Sequence, residues 1–385
     1  MRRKRGGALA AIAMAGVLAM AGCAKDSGGD GNQAAGDGGG GEPGSCVTNE
    51  APAAPENSKK EQTTEHGDID AGDLKIGLAF DVGGRGDASF NDAAAAGVDR
   101  AVEEFGAEKG NESPAAGSES EAAKEQRLRQ MAEQGNNPII AVGFAYAEAV
   151  RKVAPQYPDT EFALVDDNSV DAKNVTPLVF AEEEGSFLAG VAAAYKTSEC
   201  QVGFVGGVQT PLIKKFQAGF EQGVKAAGGD NIEVKSEYLT PAGDISGFND
   251  PAKANVKSKS MISQGSDVLF HAAGASGQGV FEAAATNDAL AIGVDSDQYK
   301  QKTLADVKDV IVTSMLKKVD VAVFDYIAAV AEGDPGDLPE RFDLSVDGVG
   351  YSKSNPAIED VTEELEGYKK AIVDGDIEVS DTPQG

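Results

Sequence analysis

The stretch KIGLAFDVGGRGDASFND, residues 75–92, decides the fold. It opens on an apolar run, 76–80, of the length a buried strand needs. It then passes through a loop of glycines and aspartates and enters a helical pattern over 93–104. The same rhythm recurs along the chain. Apolar runs at 138–142, 161–165, 176–180, 201–205, 233–238, 268–271, 290–294 and 310–314 predict strands. Patterns at 124–133, 185–196, 214–226, 251–264, 277–287 and 317–331 predict helices. Alternation of this kind gives α/β lobes, parallel sheets with helices on both faces. Roughly 300 residues follow Lys75, enough for two such lobes.

Ligands of open parallel sheets bind beyond the carboxyl ends of the strands, so the chemistry of interest lies there. Those ends carry Asp81, Gly143-Phe144, Asp166-Asp167-Asn168, Gly206-Gly207, Gly274, Asp295 and Ser314-Met-Leu-Lys317. Glycine lets backbone come close to a ligand, and aspartate and lysine can bond its polar edges. For Gly206-Gly207 and Asp297 the plainer reading as turn and cap residues is preferred. Phe90 has no such plain reading. A phosphate-cradling turn or an adhesion loop at Arg85-Gly86-Asp87 would not need an aromatic ring between Ser89 and Asn91.

The ends of the chain bear on its compartment. Arg2, Arg3, Lys4 and Arg5 precede an uncharged apolar stretch, 6–22, short of the ~20 residues of a spanning helix. It ends in Met20-Ala21-Gly22-Cys23, small residues before a cysteine as in a bacterial lipobox. Residues 1–22 are therefore expected to be a signal peptide and Cys23 to carry lipid. From 23 to 72 the chain is poor in apolar residues, as in GDGGGGEPGS, and is expected to be a flexible tether. The formal net charge of −29 becomes −33 without the leader's four basic residues. That excess argues against nucleic acid and anionic lipid as partners, leaving the lipid anchor as the expected membrane contact. An exported context permits a disulfide between Cys46 and Cys200, which would pin the tether to the domain; two unpaired thiols are the alternative.

Together, the leader with its lipobox, KIGLAFDVGGRGDASFND, FALVDD, EEGSFLAGVAAAY, VGFVGG, GFNDPAKA, VLFHAAGASGQGVFEAA, AIGVDSDQ and VTSMLKKVDVAVFD resemble the basic membrane protein family, from about Lys75 to Lys370. Members are lipid-anchored substrate-binding subunits of ABC importers, similar to the purine-nucleoside-binding lipoprotein of spirochaetes. The resemblance implies the type I periplasmic binding protein fold, two Rossmann-like lobes joined by a three-strand hinge. The expected division is a first lobe of 73–182 and 310–338, a second of 183–309 and 339–373, and a tail, 374–385. It also implies a role for Phe90, stacking on a purine base, with Phe248 covering the other face; Phe216, at helical spacing with Phe220 and Val224, is read as core. Such a sandwich contributes on the order of 1 kcal/mol per ring beyond area burial.

Around the rings, Asp166 is expected at the base edge and Asp81 and Asn91 beside the Phe90 loop. Asp295, helped by the Gly274 backbone, would take the ribose hydroxyls. Lys317, one turn into a helix, would donate to a sugar oxygen and pair with Asp295. The expected partners are a purine nucleoside and a membrane permease, for a monomer on the extracytoplasmic face of the cell membrane. No catalytic residue, cofactor or metal is expected, since His66 and His271 alone supply neither a zinc pair nor a Ser-His-Asp triad. Ser314-Met-Leu-Lys317 lacks the companions of an S-x-x-K enzyme, and 68–79 lacks a calcium loop's final Glu. Two alternatives stay open: a sugar or autoinducer-binding protein of the same fold, and a secreted nucleoside hydrolase.

Overall fold

The computed structural model describes residues 44–55 and 66–383, within the unit running from Gly40 to Gly385. The expected signal peptide and Cys23 lie outside the described residues. The first sheet is parallel throughout. Lys75–Val82 (β1), Glu108–Ala115 (β2), Ile139–Ala141 (β3), Phe162–Val165 (β4) and Val175–Leu178 (β5) lie in the order β2-β1-β3-β4-β5. Phe90–Phe105 (α1), Glu121–Glu133 (α2) and Ala147–Val153 (α3) link these strands. From Ile76 on, every residue of β1 is buried, as a central strand covered on both faces must be.

The chain then enters a second lobe. Glu182–Lys196 (α4), Gln201–Val208 (β6), Pro211–Gly228 (α5), Glu233–Thr240 (β7), Pro251–Ser263 (α6), Val268–Ala272 (β8), Gly277–Ala285 (α7), Leu290–Asp295 (β9) and Ile311–Lys317 (β10) follow in order. Val319–Glu332 (α8) returns to pack on α1 of the first lobe. Val349–Tyr351 (β11) and Thr362–Val373 (α9) close the second. The second sheet runs β11-β10-β9-β8-β6-β7, parallel except where β11 meets β10. Three crossovers thus join the lobes, and two of them touch: Ala181 N–H donates to the Phe342 carbonyl and Phe342 N–H to that of Val179.

One expected boundary moves. The sequence division puts residues 311–317 in the first lobe, yet β10 pairs with β9 from Ile311 to Leu316 and with β11 from Met315 to Lys317. The crossover therefore comes after Lys317. Lys317 itself ends a strand and does not sit within a helix.

The expected tether is docked wherever it is described. Cys46 is bonded to Cys200, and Thr48 and Asn49 N–H groups both donate to the Ala227 carbonyl at the end of α5. Asn49 Nδ2 caps the same helix at the Ala226 carbonyl, 2.9 Å away. Residues 66–74 lie instead on the first lobe: His66 Nε2 is 2.9 Å from Asp325 on α8, and Ala71 N–H meets the Phe105 carbonyl at 2.9 Å. The tail is held too, Ser380 exchanging two hydrogen bonds with Gln222.

A disulfide that closes so long a loop, 154 residues apart in sequence, removes entropy from the unfolded chain, typically about 2–4 kcal/mol. Cys200→Ser is expected to lower the urea midpoint correspondingly, and reductant to lower the wild type to the same value. Equal midpoints for oxidised and reduced wild type would contradict this.

Candidate functional site

The strand ends of both lobes converge on a single cavity enclosing about 520 Å³, its solvent-open part included. Asp81, Phe90, Asn91, Asp166, Phe248, Gly274, Asp295 and Lys317 all line it. Sequence reasoning thus placed eight residues that the fold brings together. It missed Phe144, although that residue sits at a strand end already singled out, and it read Phe216 as core. Phe216 is buried and lines the cavity as well.

The loop after β1 is shaped by its own polar side chains. Asp87 accepts from the N–H groups of Ser89, Asn91 and Asp92 at 2.8–3.1 Å, which caps α1 and leaves Phe90 as its first residue. Asp92 holds the N–H groups of Gly86 and Ala88. Asn91 spends its amide inside the protein: Oδ1 accepts from Asp81 N–H at 2.9 Å and Nδ2 reaches Asp87 at 2.9 Å. Asn91 therefore orders the loop that carries Phe90.

Four phenylalanines face the cavity, Phe90 and Phe144 from the first lobe and Phe216 and Phe248 from the second. Phe144 and Phe248 meet edge to face across the lobes at 6.5 Å between centroids. Phe248 ends a short 3-10 turn, Ile245–Phe248, before α6, and Gly207 makes room for its ring. A Cβ on Gly207 would sit 2.6 Å from the Phe248 ring. Gly206-Gly207 is thus not the turn expected from sequence. Both residues belong to β6, where a bare strand admits the aromatic.

At the back of the cavity Lys317 is buried. Its Nζ donates to both Asp166 oxygens, at 2.7 and 2.9 Å, and lies 3.9 Å from Glu182. The rings of Phe90, Phe180 and Phe216 surround it with centroids at 4.6, 5.4 and 5.5 Å, close enough for cation–π attraction. The expected partner, Asp295, makes no direct bond to it; Asp295 accepts from Ser89 Oγ at 2.5 Å. The reason is backbone geometry. Asp166 and Asp295 end corresponding strands, β4 and β9, in left-handed conformations with φ of 68° and 62°, which turn their carboxyl groups toward the opposite lobe.

Burial dominates the electrostatics. It raises Asp81 to about 7, against a hydrogen bond from Val82 N–H and the charge of Lys124, and Asp87 to about 6. Asp295 is also raised by burial, opposed by Lys317 and Ser89. Burial alone would lower Lys317, but Asp166, Asp295 and Glu182 hold its ammonium above the ordinary value. Among the described residues lining the cavity, Lys317 is the sole basic side chain, and Asp166 already occupies it. Asp81 keeps space for its free oxygen because Gly143, at φ 102°, carries no side chain; a Cβ there would lie 2.7 Å away.

Two α/β lobes joined by crossovers, with a cavity lined from both at their facing strand ends, have the architecture of solute-binding proteins. The family described as "ABC transporter substrate-binding protein PnrA-like" matches residues 75–383, and the chain belongs to it. The chain is 37% identical over 328 residues to the CD4+ T-cell-stimulating antigen of Listeria monocytogenes, covering 81% of this chain and 89% of that one. It is 33% identical over 321 residues to the ABC transporter nucleoside-binding protein BmpA of Lactococcus lactis, covering 80% and 89%. A solute-binding protein of an ABC transporter system from Aeropyrum pernix K1 is similar in structure, with a TM-score of 0.67, 28% identity and coverage of 81% and 94%. The family is one of transport substrate-binding proteins, not of enzymes, and implies a small-molecule ligand and a permease partner.

The buried carboxyls set a pH dependence. Asp81, Asp87 and Glu182 titrate at about 7, 6 and 7 when folded, above their unfolded values near ~4. The folded state therefore holds protons that the unfolded chain has lost, and stability falls as pH rises through this window. The ligand-free protein is expected to melt higher at about pH 5.5 than at about pH 8, with a smaller difference in Asp81→Asn. A melting temperature that drops on acidification over that interval would contradict the assignment.

Proposed function

We propose that the protein is a lipid-anchored receptor for a purine nucleoside, held outside the cell membrane through Cys23, which delivers its ligand as a monomer to an ABC permease. The observation that carries this reading is the aromatic lining contributed by both lobes, Phe90 and Phe144 opposite Phe216 and Phe248. Rings from both sides suit a flat heterocycle, whose faces are apolar and whose rim is polar. Asp166 and Asp81 are the groups for the base edge, and Asp295 with the Gly274 backbone those for the ribose. Lys317 donates to the sugar while retaining Asp166. The nucleoside-binding relative supports the same substrate class. The leader and Met20-Ala21-Gly22-Cys23 support export and lipidation.

Charge narrows the ligand further. Asp81, Asp87, Asp166 and Asp295 stand against a single ammonium in the cavity, so a phosphate group would meet net repulsion in a poorly solvated space.

Calorimetry tests both statements. Inosine, guanosine or adenosine is expected to bind, and inosine 5′-monophosphate to bind at least about 100-fold more weakly than inosine, since each 1.4 kcal/mol of repulsion is a factor of ten. Phe90→Ala is expected to weaken nucleoside binding by about tenfold or more, the loss of one stacking face. Binding of ribose or a hexose with no response to any nucleoside would replace this reading by the sugar-binding one. Release of free base from inosine would point to the hydrolase.

A further inference from the structure

The loop that presents Phe90 also enters the second lobe. Ala88 is buried, and the apolar cluster it joins is otherwise built from second-lobe residues, among them Phe281, Ala291, Leu304 and Ile311. Three hydrogen bonds surround that methyl group. Ser89 Oγ donates to Asp295 Oδ2 at 2.5 Å, Ser296 Oγ donates to the Ser89 carbonyl at 3.0 Å, and Gln298 Nε2 donates to the Ala88 carbonyl at 3.0 Å. Ala88 and Asp295 have φ of 54° and 62°, a conformation that non-glycine residues seldom adopt unless surrounding contacts hold it. Two such residues, one from each lobe, meet at this contact.

The amide of Gln298 can be oriented in one way only. Its Oε1 accepts from Val294 N–H at 2.8 Å, while its Nε2 meets the Ala88 carbonyl. A flipped amide would set donor against donor and acceptor against acceptor. His271 Nε2 lies 3.1 Å from the same Oε1, so this nitrogen carries the ring proton. Nδ1 meets no partner among the described residues. Burial keeps the ring neutral, lowering its pKa to about 4. The buried histidine thus acts through the glutamine. Together with Val294 it points the Gln298 carbonyl inward, which turns the NH2 group toward the other lobe.

We propose that Ala88–Ser89 is a latch and Asp295–Gln298 with its apolar surround the socket, so that protein groups alone stabilise the juxtaposed lobes and position Phe90 for the ligand. Ser89, Ser296 and Gln298 are positioning residues; the described residues lining the ligand cavity include none of them. The latch acts on the population of the binding-competent arrangement. Apparent affinity falls with the fraction of molecules that occupy it. It rests on the fold and needs no particular ligand.

The test combines small-angle X-ray scattering of the ligand-free protein with inosine titration of the wild type, Ser89→Ala, Ser89→Thr and Gln298→Glu. Glutamate keeps the acceptor and loses the donor to Ala88. Ser89→Ala and Gln298→Glu are expected to raise the ligand-free radius of gyration and to weaken inosine binding about fivefold or more, with the far-ultraviolet circular dichroism remaining that of the folded protein. Ser89→Thr, which keeps the hydroxyl, is expected to behave as wild type, and saturating inosine to return both weakened variants to the wild-type radius. Ligand-free scattering and inosine affinity unchanged in Ser89→Ala would overturn the latch, whatever becomes of Gln298→Glu. Should wild type fail to bind inosine, the nucleoside reading fails and the scattering comparison alone decides the latch.

Discussion

A lysine ammonium buried between two lobes is the constraint on which the site depends. Lys317 comes from the second sheet and both oxygens that hold it come from Asp166 in the first. Removing one partner of a desolvated pair leaves a charge that the interior cannot solvate, at a cost of about 3–5 kcal/mol. The pair is therefore satisfied when the lobes are together, and separation of the lobes must return both groups to water. Phe90, Phe180 and Phe216 around the ammonium keep that space apolar. One interaction thus joins the back wall of the cavity, the placement of its principal ring and the relation of the two lobes.

The remaining polar groups fall into two kinds. Asp87, Asp92 and Asn91 are consumed in shaping the loop after β1, each accepting or donating within twelve residues of chain. Asp81, Asp166 and Asp295 stand at strand ends, the last two in left-handed backbone that aims them across the cleft. Asp295 is also reached by Ser89, so the groups that face the ligand and those that join the lobes overlap. A solute-binding protein works by gaining affinity from contacts that exist only in one arrangement of its lobes, and this chain concentrates such contacts at the ends of β4, β9 and β10.

Most of the architecture was legible because buried parallel strands are short apolar runs. β1, β6, β8 and β9 announce themselves, whereas β2, with the sequence EKGNESPA, is a polar edge strand and carries no apolar period. β11 is three residues long, too short for any period to show. α9 did carry a signal, Leu365, Tyr368 and Ile372 buried at helical spacing, although the sequence reading does not include it. The site residues were legible through their position at strand ends, but their partners were not. Which carboxylate meets Lys317 depends on two backbone angles and on the sheet to which β10 belongs, and neither is a property of local sequence. Gly206-Gly207 looked like a turn because the rings that need their space, Tyr238 beside Gly206 and Phe248 beside Gly207, lie about thirty and forty residues away. Composition likewise suggested a free tether, while a disulfide and helix caps fix residues 46–49 to the second lobe.

The central claim is that rings from opposite lobes hold a planar heterocycle between them. A crystal structure of the protein with bound guanosine tests it most directly. The account predicts the purine between Phe90 and Phe248, with ring atoms within about 4 Å of each, and the ribose against Asp295. A guanosine bound outside this cavity, or inside it with both rings turned away from the base, would contradict the account.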